Sequence, residues 1–233
     1  MSLHLIYGND SVGKSTQLKT IAESSEDVIY ISLEVKNRRL LKESECEVVE
    51  VLHFTPDFKV DPIPTYETLG NTINRIMSGK GQDGKAKQYK MVVVDGISEI
   101  PRYAEKMVIR EIQKAHPTQK TIRENNLAGW AMRNTLAYLP FERLSSWAEI
   151  TGANVLLTTL MADEYKGKDR IGRMADAKDR LKKLCDSRIF LNRDAKGYSA
   201  RFEKVPGWST KKDEFVLIQE GGLFVEMMGR GLL

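Results

Sequence analysis

Cysteine and histidine are scarce in this sequence, with 2 and 3 copies in 233 residues. Cys46 and Cys185 stand far apart and neither belongs to a C-x-x-C pair, while His4, His53 and His116 are equally scattered. A zinc site, a disulfide framework and a cysteine or serine triad therefore have no support, and the two cysteines read as reduced thiols. No apolar run approaches the roughly 18 residues that a membrane-crossing helix needs. The first residues read as a strand rather than a signal segment, so the expectation is a cytoplasmic protein with no membrane partner. An excess of one charge is missing too: 36 Lys and Arg against 32 Asp and Glu leave +4. That bias permits an anionic partner without demanding one. What is plentiful is core material, 41% hydrophobic residues, in a length that fits a single domain.

Residues 8–15 read GNDSVGKS, which has the spacing of a P-loop, G-x-x-x-x-G-K-[ST]. Such a loop wraps its backbone N–H groups around a phosphate, and the following helix adds the positive end of its dipole. The candidate cradle is Gly8, Asn9, Asp10, Ser11, Val12, Gly13, Lys14, Ser15 and Thr16. Lys14 would reach the β and γ phosphates of ATP, and the Ser15 hydroxyl would ligate Mg²⁺. Context agrees: Leu3–Tyr7 looks like a buried strand, and the residues from Thr16 to Ala22 look helical. The sequence begins on that strand, so little more than a motor core is expected.

A second constellation lies at YKMVVVDGISEI. Met91–Val94 is a continuous apolar run of the parallel-sheet type, and Asp95 ends it as a candidate Walker B carboxylate for the metal. Gly96 follows, where many ATPases place a glutamate that activates water. Another glutamate must then serve. The run from Val28 to Leu33 ends in Glu34, at the tip of a strand expected to neighbour the P-loop strand, from where it can orient the attacking water.

VIYISLEVKNRRL resembles the segment that carries the catalytic glutamate in RecA, RadA and DnaB-type ATPases, and MVVVDGISEI is similar to their Walker B strand. Asn154–Thr159 stands where those families have a γ-phosphate-sensing strand, with Thr158 or Thr159 as the possible sensor; Leu160 departs from their polar pattern. SRIFLNRDAKGYSARFEKVPG resembles their closing hairpin, turning at residues 194–197. The resemblance runs over about residues 3–206. In size and layout it comes nearest to the phage single-domain RecA-like single-strand annealing ATPases. It implies an α/β, three-layer P-loop NTPase fold, a RecA-like core with a mainly parallel central sheet, as one domain with a strand or tail over 207–233. It also implies ATP and Mg²⁺ as cofactors, Glu34 and Lys14 as catalytic groups, a homo-oligomer, and single-stranded DNA as partner.

The remaining chain is read more coarsely. Residues 47–52 form a strand candidate, a Pro-rich loop follows, and Thr65–Met77 reads as a helix. Residues 101–150 are mostly helical, with Leu127, Trp130, Ala131, Leu136, Leu139, Phe141, Leu144 and Trp147 at packing spacing. Lys166–Lys183 holds eight Lys or Arg against three Asp, a net +5 that exceeds the whole chain's +4. Lys166, Lys168, Arg170, Arg173, Lys178, Arg180, Lys182 and Lys183 could contact a phosphate backbone from an exposed loop. Equally, Met174, Ala175, Ala177, Leu181 and Leu184 could pack inward from an amphipathic helix. The final EGGLFVEMMGRGLL reads as a short apolar strand and tail. Three functions fit: a DNA-dependent recombination or annealing ATPase, an ATP-bound switch for a protein partner, and a packaging or helicase-type motor.

Overall fold

A computed structural model describes residues 2–37, 46–118, 126–166, 169–175, 177, 179–195, 197–204, 216–218 and 222–233. In chain order the elements are β1 (Ser2–Gly8), α1 (Lys14–Glu23), β2 (Val28–Ser32), β3 (Glu47–Glu50), α2 (Pro62–Met77) and β4 (Met91–Asp95). There follow α3 (Ile100–Ala115), α4 (Asn126–Thr151), β5 (Asn154–Thr159), β6 (Met161–Lys166) and β7 (Asp169–Ala175). The chain closes with α5 (Asp179–Leu184), β8 (Ser187–Asp194), β9 (Gly197–Lys204), β10 (Val216–Ile218) and α6 (Gly222–Gly229).

Two compact units divide the chain: Met1–Val49, Tyr89–Ser98 and Ser145–Leu233 form the first, and Glu50–Gln88 with Glu99–Leu144 the second. The first is built on an eight-stranded sheet in the order β10-β9-β8-β1-β5-β4-β2-β3. The pairs β8/β1, β1/β5, β5/β4 and β4/β2 are parallel, and β9 returns antiparallel along β8. Every residue of β2 and β4 is buried, as strands covered on both faces require, which is why they read as unbroken apolar runs. β2 does not neighbour the P-loop strand as expected; β5 and β4 lie between them. Apolar runs with no polar face carry no marker of strand order, so adjacency in sequence was the wrong guide.

One face of this sheet packs on α1 and the C-terminal residues. Ile6, Val93, Leu156, Ile189 and Phe202 share a buried cluster with Leu18 and Ile21 of α1 and with Leu223, Met227 and Leu232. Leu223 N–H donates to Gln17 Oε1 at 3.2 Å, fixing α6 on α1. The C-terminal segment is thus a helix and not the expected strand: Leu223 and Met227, four apart, bury one helical stripe. The strand is β10, a little earlier, paired with β9. Leu18 is wholly buried in the same cluster. Leu18→Ala lowers unfolding free energy by about 2–5 kcal/mol, read as a fall in urea midpoint at unchanged slope.

In the second unit α2 starts at Pro62, three residues before the expected Thr65. Asp61 caps it by accepting from Ile63 N–H at 3.3 Å, and Pro62 sits in the first turn, where its missing N–H costs nothing. Arg110 of α3 pairs with Glu67 of α2 at 2.8 Å, and Tyr66 donates to the Leu136 carbonyl at 2.6 Å. Of the packing stripe expected along α4, Phe141 and Leu144 are buried, as is Trp147 in the part of α4 that belongs to the first unit; Leu136 is half-buried, Ala131 is exposed, and Trp130 and Leu139 are 37% and 40% exposed.

Candidate active site

β1 delivers the P-loop to the carboxyl edge of the parallel strands, and α1 begins at Lys14. Gly13 has φ +82°, a left-handed conformation, and a Cβ there would lie 3.0 Å from Tyr198 Cε1; both facts call for glycine. Lys14 is buried and turns its ammonium onto its own loop, donating to the carbonyls of Gly8 at 3.0 Å and Asn9 at 2.6 Å. Burial lowers its pKa, against the pull of Glu34, Asp10 and Asp95.

A cavity of about 320 Å³ opens on this loop. Its wall comprises Asp10, Ser11 and residues 13–16, together with Glu34, Lys36 and Tyr198. Glu34 therefore meets the P-loop across a shared space although β2 and β1 are not neighbours. Its pocket is made by Gly96: φ is +94°, and a Cβ would stand 2.4 Å from Glu34 Cγ. The residue after Asp95 has to be glycine, because the Glu34 side chain lies over it. Burial, then Asp95, pushes the Glu34 carboxyl above the usual range, while Lys36 and Lys14 pull it back.

Asp95 is fully buried. Tyr30 donates to its Oδ2 at 2.6 Å, and the Thr158 hydroxyl donates to Oδ1. Burial and Asp95 raise the Tyr30 pKa, so the phenol stays a donor. Gly96 N–H donates to Thr158 Oγ1 at 2.8 Å, and Thr159 Oγ1 bonds Ser98 Oγ at 3.0 Å. Both threonines are buried, Thr158 engaged by Asp95 and Thr159 by Ser98, and neither lines the cavity.

Ser15 lines the cavity and offers a hydroxyl, whereas Asp95, like the threonines, lies outside its wall with both carboxylate oxygens hydrogen-bonded, so it would reach a Mg²⁺ on Ser15 through the ion's water shell. Among the described residues no group of three or more His, Cys, Asp or Glu could hold a metal by itself.

Residues outside this constellation fall in several places. β6 and β7 pair with each other as an antiparallel ribbon, with a register shift between Glu164 and Tyr165. The described residues of 166–183 are thus chiefly the end of β6, the whole of β7 and most of the short α5, and not the loop or single helix expected. A helical period misled because Ala175 and Leu181, both buried, belong to different elements. Lys166 ends β6, Arg170 and Arg173 lie on β7, and Arg180 with Lys182 and Lys183 is on α5. Lys183 is exposed and Lys182 half-buried, while Lys168 and Lys178 lie outside the described residues. Both cysteines are free thiols, Cys185 with its pKa pushed by burial to about 12.

Two cavity residues escaped sequence reasoning. Lys36 pairs with Glu34 Oε2 at 3.3 Å and hydrogen-bonds Asp10 Oδ1, and that bond holds Asp10 below the usual carboxylate range. Tyr198 leads β9 back against the P-loop, its ring 5.1 Å from the Arg193 guanidinium carbon. A lysine two residues after the candidate glutamate was a usable signal for the first. The second had none that linked it to the P-loop, since its strand lies 185 positions beyond Gly13 in the chain.

The AAA_24 family model, described as an AAA domain, matches residues 3–213. Among solved structures the fold is similar to the RadB recombinase, with TM-score 0.52 and 17% identity over 95% of this chain and 89% of that one. It is also similar to a KaiC-like protein from the hyperthermophilic archaeon Pyrococcus horikoshii OT3, with TM-score 0.51 and 15% identity over 95% and 88%. No curated protein matches. At these identities the likeness is one of fold, and the fold is the three-layer α/β RecA-like P-loop architecture. No helix among the described residues is long and apolar enough to cross a membrane.

Proposed function

We propose that this chain, which belongs to the AAA domain family, binds ATP with Mg²⁺, hydrolyses it, and couples hydrolysis to single-stranded DNA in recombination or annealing, as a homo-oligomer. The observation that carries hydrolysis is the convergence of Lys14, Ser15 and Glu34 on one cavity. Backbone N–H groups around Gly13 cradle the phosphates, and Lys14 neutralises charge that develops on them. Ser15 and Asp95 would hold Mg²⁺, which supplies further charge neutralisation when bound. Glu34 orients a water and takes its proton as the oxygen bonds to the γ-phosphorus and the bond to the β-phosphate oxygen breaks. ADP is the leaving group.

The DNA half of the reading rests on the +5 charge of residues 166–183 and on a fold shared with a protein named a recombinase. Backbone contacts of this kind are independent of sequence and weaken with salt. The test is ATP turnover at low and moderate salt, with and without single-stranded DNA, beside Lys14→Ala. Stimulation that fades with salt and vanishes in Lys14→Ala is the expected result. Turnover unchanged by DNA, with no binding at low salt, removes the DNA half.

A second reading, an ATP-bound switch for a protein partner with little hydrolysis, is favoured by one observation: the hydroxyls of Thr158 and Thr159 are engaged by Asp95 and Ser98. Under it, Glu34→Gln turns over ATP at the wild-type rate.

A further inference from the structure

Lys36 belongs to the turn Val35–Asn37 that follows β2, yet its ammonium bridges two carboxylates from different elements, Glu34 at 3.3 Å and Asp10 of the P-loop. All three line the same cavity, and the hydrolysis scheme above uses Glu34 but neither of the others. The bridge is unequal. The side chains of Lys36 and Asp10 are 55% and 66% exposed, so their bond is screened and exchanges at little cost. Glu34 is 19% exposed, and lies in a niche where a counter-charge matters more. A triphosphate entering the cavity brings several negative charges to a lysine now shared between two single ones. Lysine is a flexible point charge on a four-carbon stem, suited to changing partners.

We propose that Lys36 is a positioning residue that trades partners with the nucleotide. In the free site it clamps Glu34 and the P-loop together; when a nucleoside triphosphate binds, its ammonium moves to the terminal phosphate and releases the Glu34 carboxylate toward water. The site would then arm its glutamate only when a terminal phosphate is present. This rests on the ATPase reading and extends it to discrimination between triphosphate and diphosphate. A bland surface ion pair predicts neither.

The experiment compares wild type, Lys36→Ala, Lys36→Arg and Lys14→Ala in steady-state turnover, and in equilibrium binding of ATP and of ADP. Lys36→Ala is expected to lower kcat about 10²-fold and to weaken ATP binding while leaving ADP binding within twofold. Lys36→Arg restores most of both. The inference is overturned if Lys36→Ala matches wild type in kcat and in the ATP-to-ADP affinity ratio, or weakens both nucleotides equally, as a structural role would. Wild-type turnover no higher than that of Lys14→Ala overturns the ATPase reading, and this inference with it. An active wild type beside an inert Lys14→Ala, with Lys36→Ala unaltered, overturns this inference alone.

Discussion

Glu34→Gln lowers ATP turnover by about 10²–10⁴-fold, the range for removing a positioned proton acceptor, and leaves ATP binding near wild type. The amide keeps the shape that fits over Gly96, so the loss isolates proton acceptance from packing. Single-turnover kinetics with separately measured ATP affinity check it; a fall in affinity as large as the fall in rate would show a binding role instead. Stability should move the other way. The folded chain raises the Glu34 pKa through burial and Asp95, so it holds that proton more tightly than the unfolded chain does. Glu34 thus favours folding below its ordinary pKa and costs stability as pH rises through the raised value. In nucleotide-free and metal-free protein, Glu34→Gln therefore raises the urea midpoint at neutral pH, and the gain disappears in acid, where both side chains are neutral.

Gly96→Ala should produce a comparable loss from a residue with no reactive group. Its Cβ would enter 2.4 Å from Glu34 Cγ, at φ +94°. Glu34 has to shift, and a displacement of about 1 Å in a catalytic group can cost about 10²-fold in rate. The backbone strain adds about 1–2 kcal/mol against folding. Turnover and a urea melt on the same preparation separate the two effects: activity falls far more than stability. Retained turnover would mean that Glu34 does not act from this niche. Lys14→Ala, by contrast, removes charge from the loop itself and tests the whole nucleotide site.

Much of this geometry was legible because it is local. GNDSVGKS specifies its own turn and the start of α1, and the unbroken run MVVV specifies a strand buried on both faces that ends in Asp95. Glu34 was legible two residues past β2 because a charged residue stops an apolar run. What stayed hidden was non-local. The placing of β5 and β4 between β1 and β2 depends on side chains packing across the sheet. Tyr198 was visible only as one step in an alternating strand, and its approach to Gly13 follows from β8 lying beside β1. Thr158 or Thr159 was read as facing phosphate from the likeness of their strand to a sensing strand, but Asp95 on the neighbouring β4 takes the Thr158 hydroxyl. The β6–β7 ribbon went unread because MADEYK has no clean apolar face, and among the described residues its two strands pair only with each other.

The contact between α6 and α1 also sets an order of events during synthesis. Gln17 and Leu223 are 206 positions apart, and Met227 and Leu232 help close the cluster that buries Leu18 and Ile21. At about 5–20 residues per second, a ribosome needs roughly 10–40 s to cover that interval. Throughout it the P-loop helix keeps an uncovered apolar stripe, open to chaperones or to other nascent chains. The P-loop helix is thus completed only after residues 206 positions downstream have emerged.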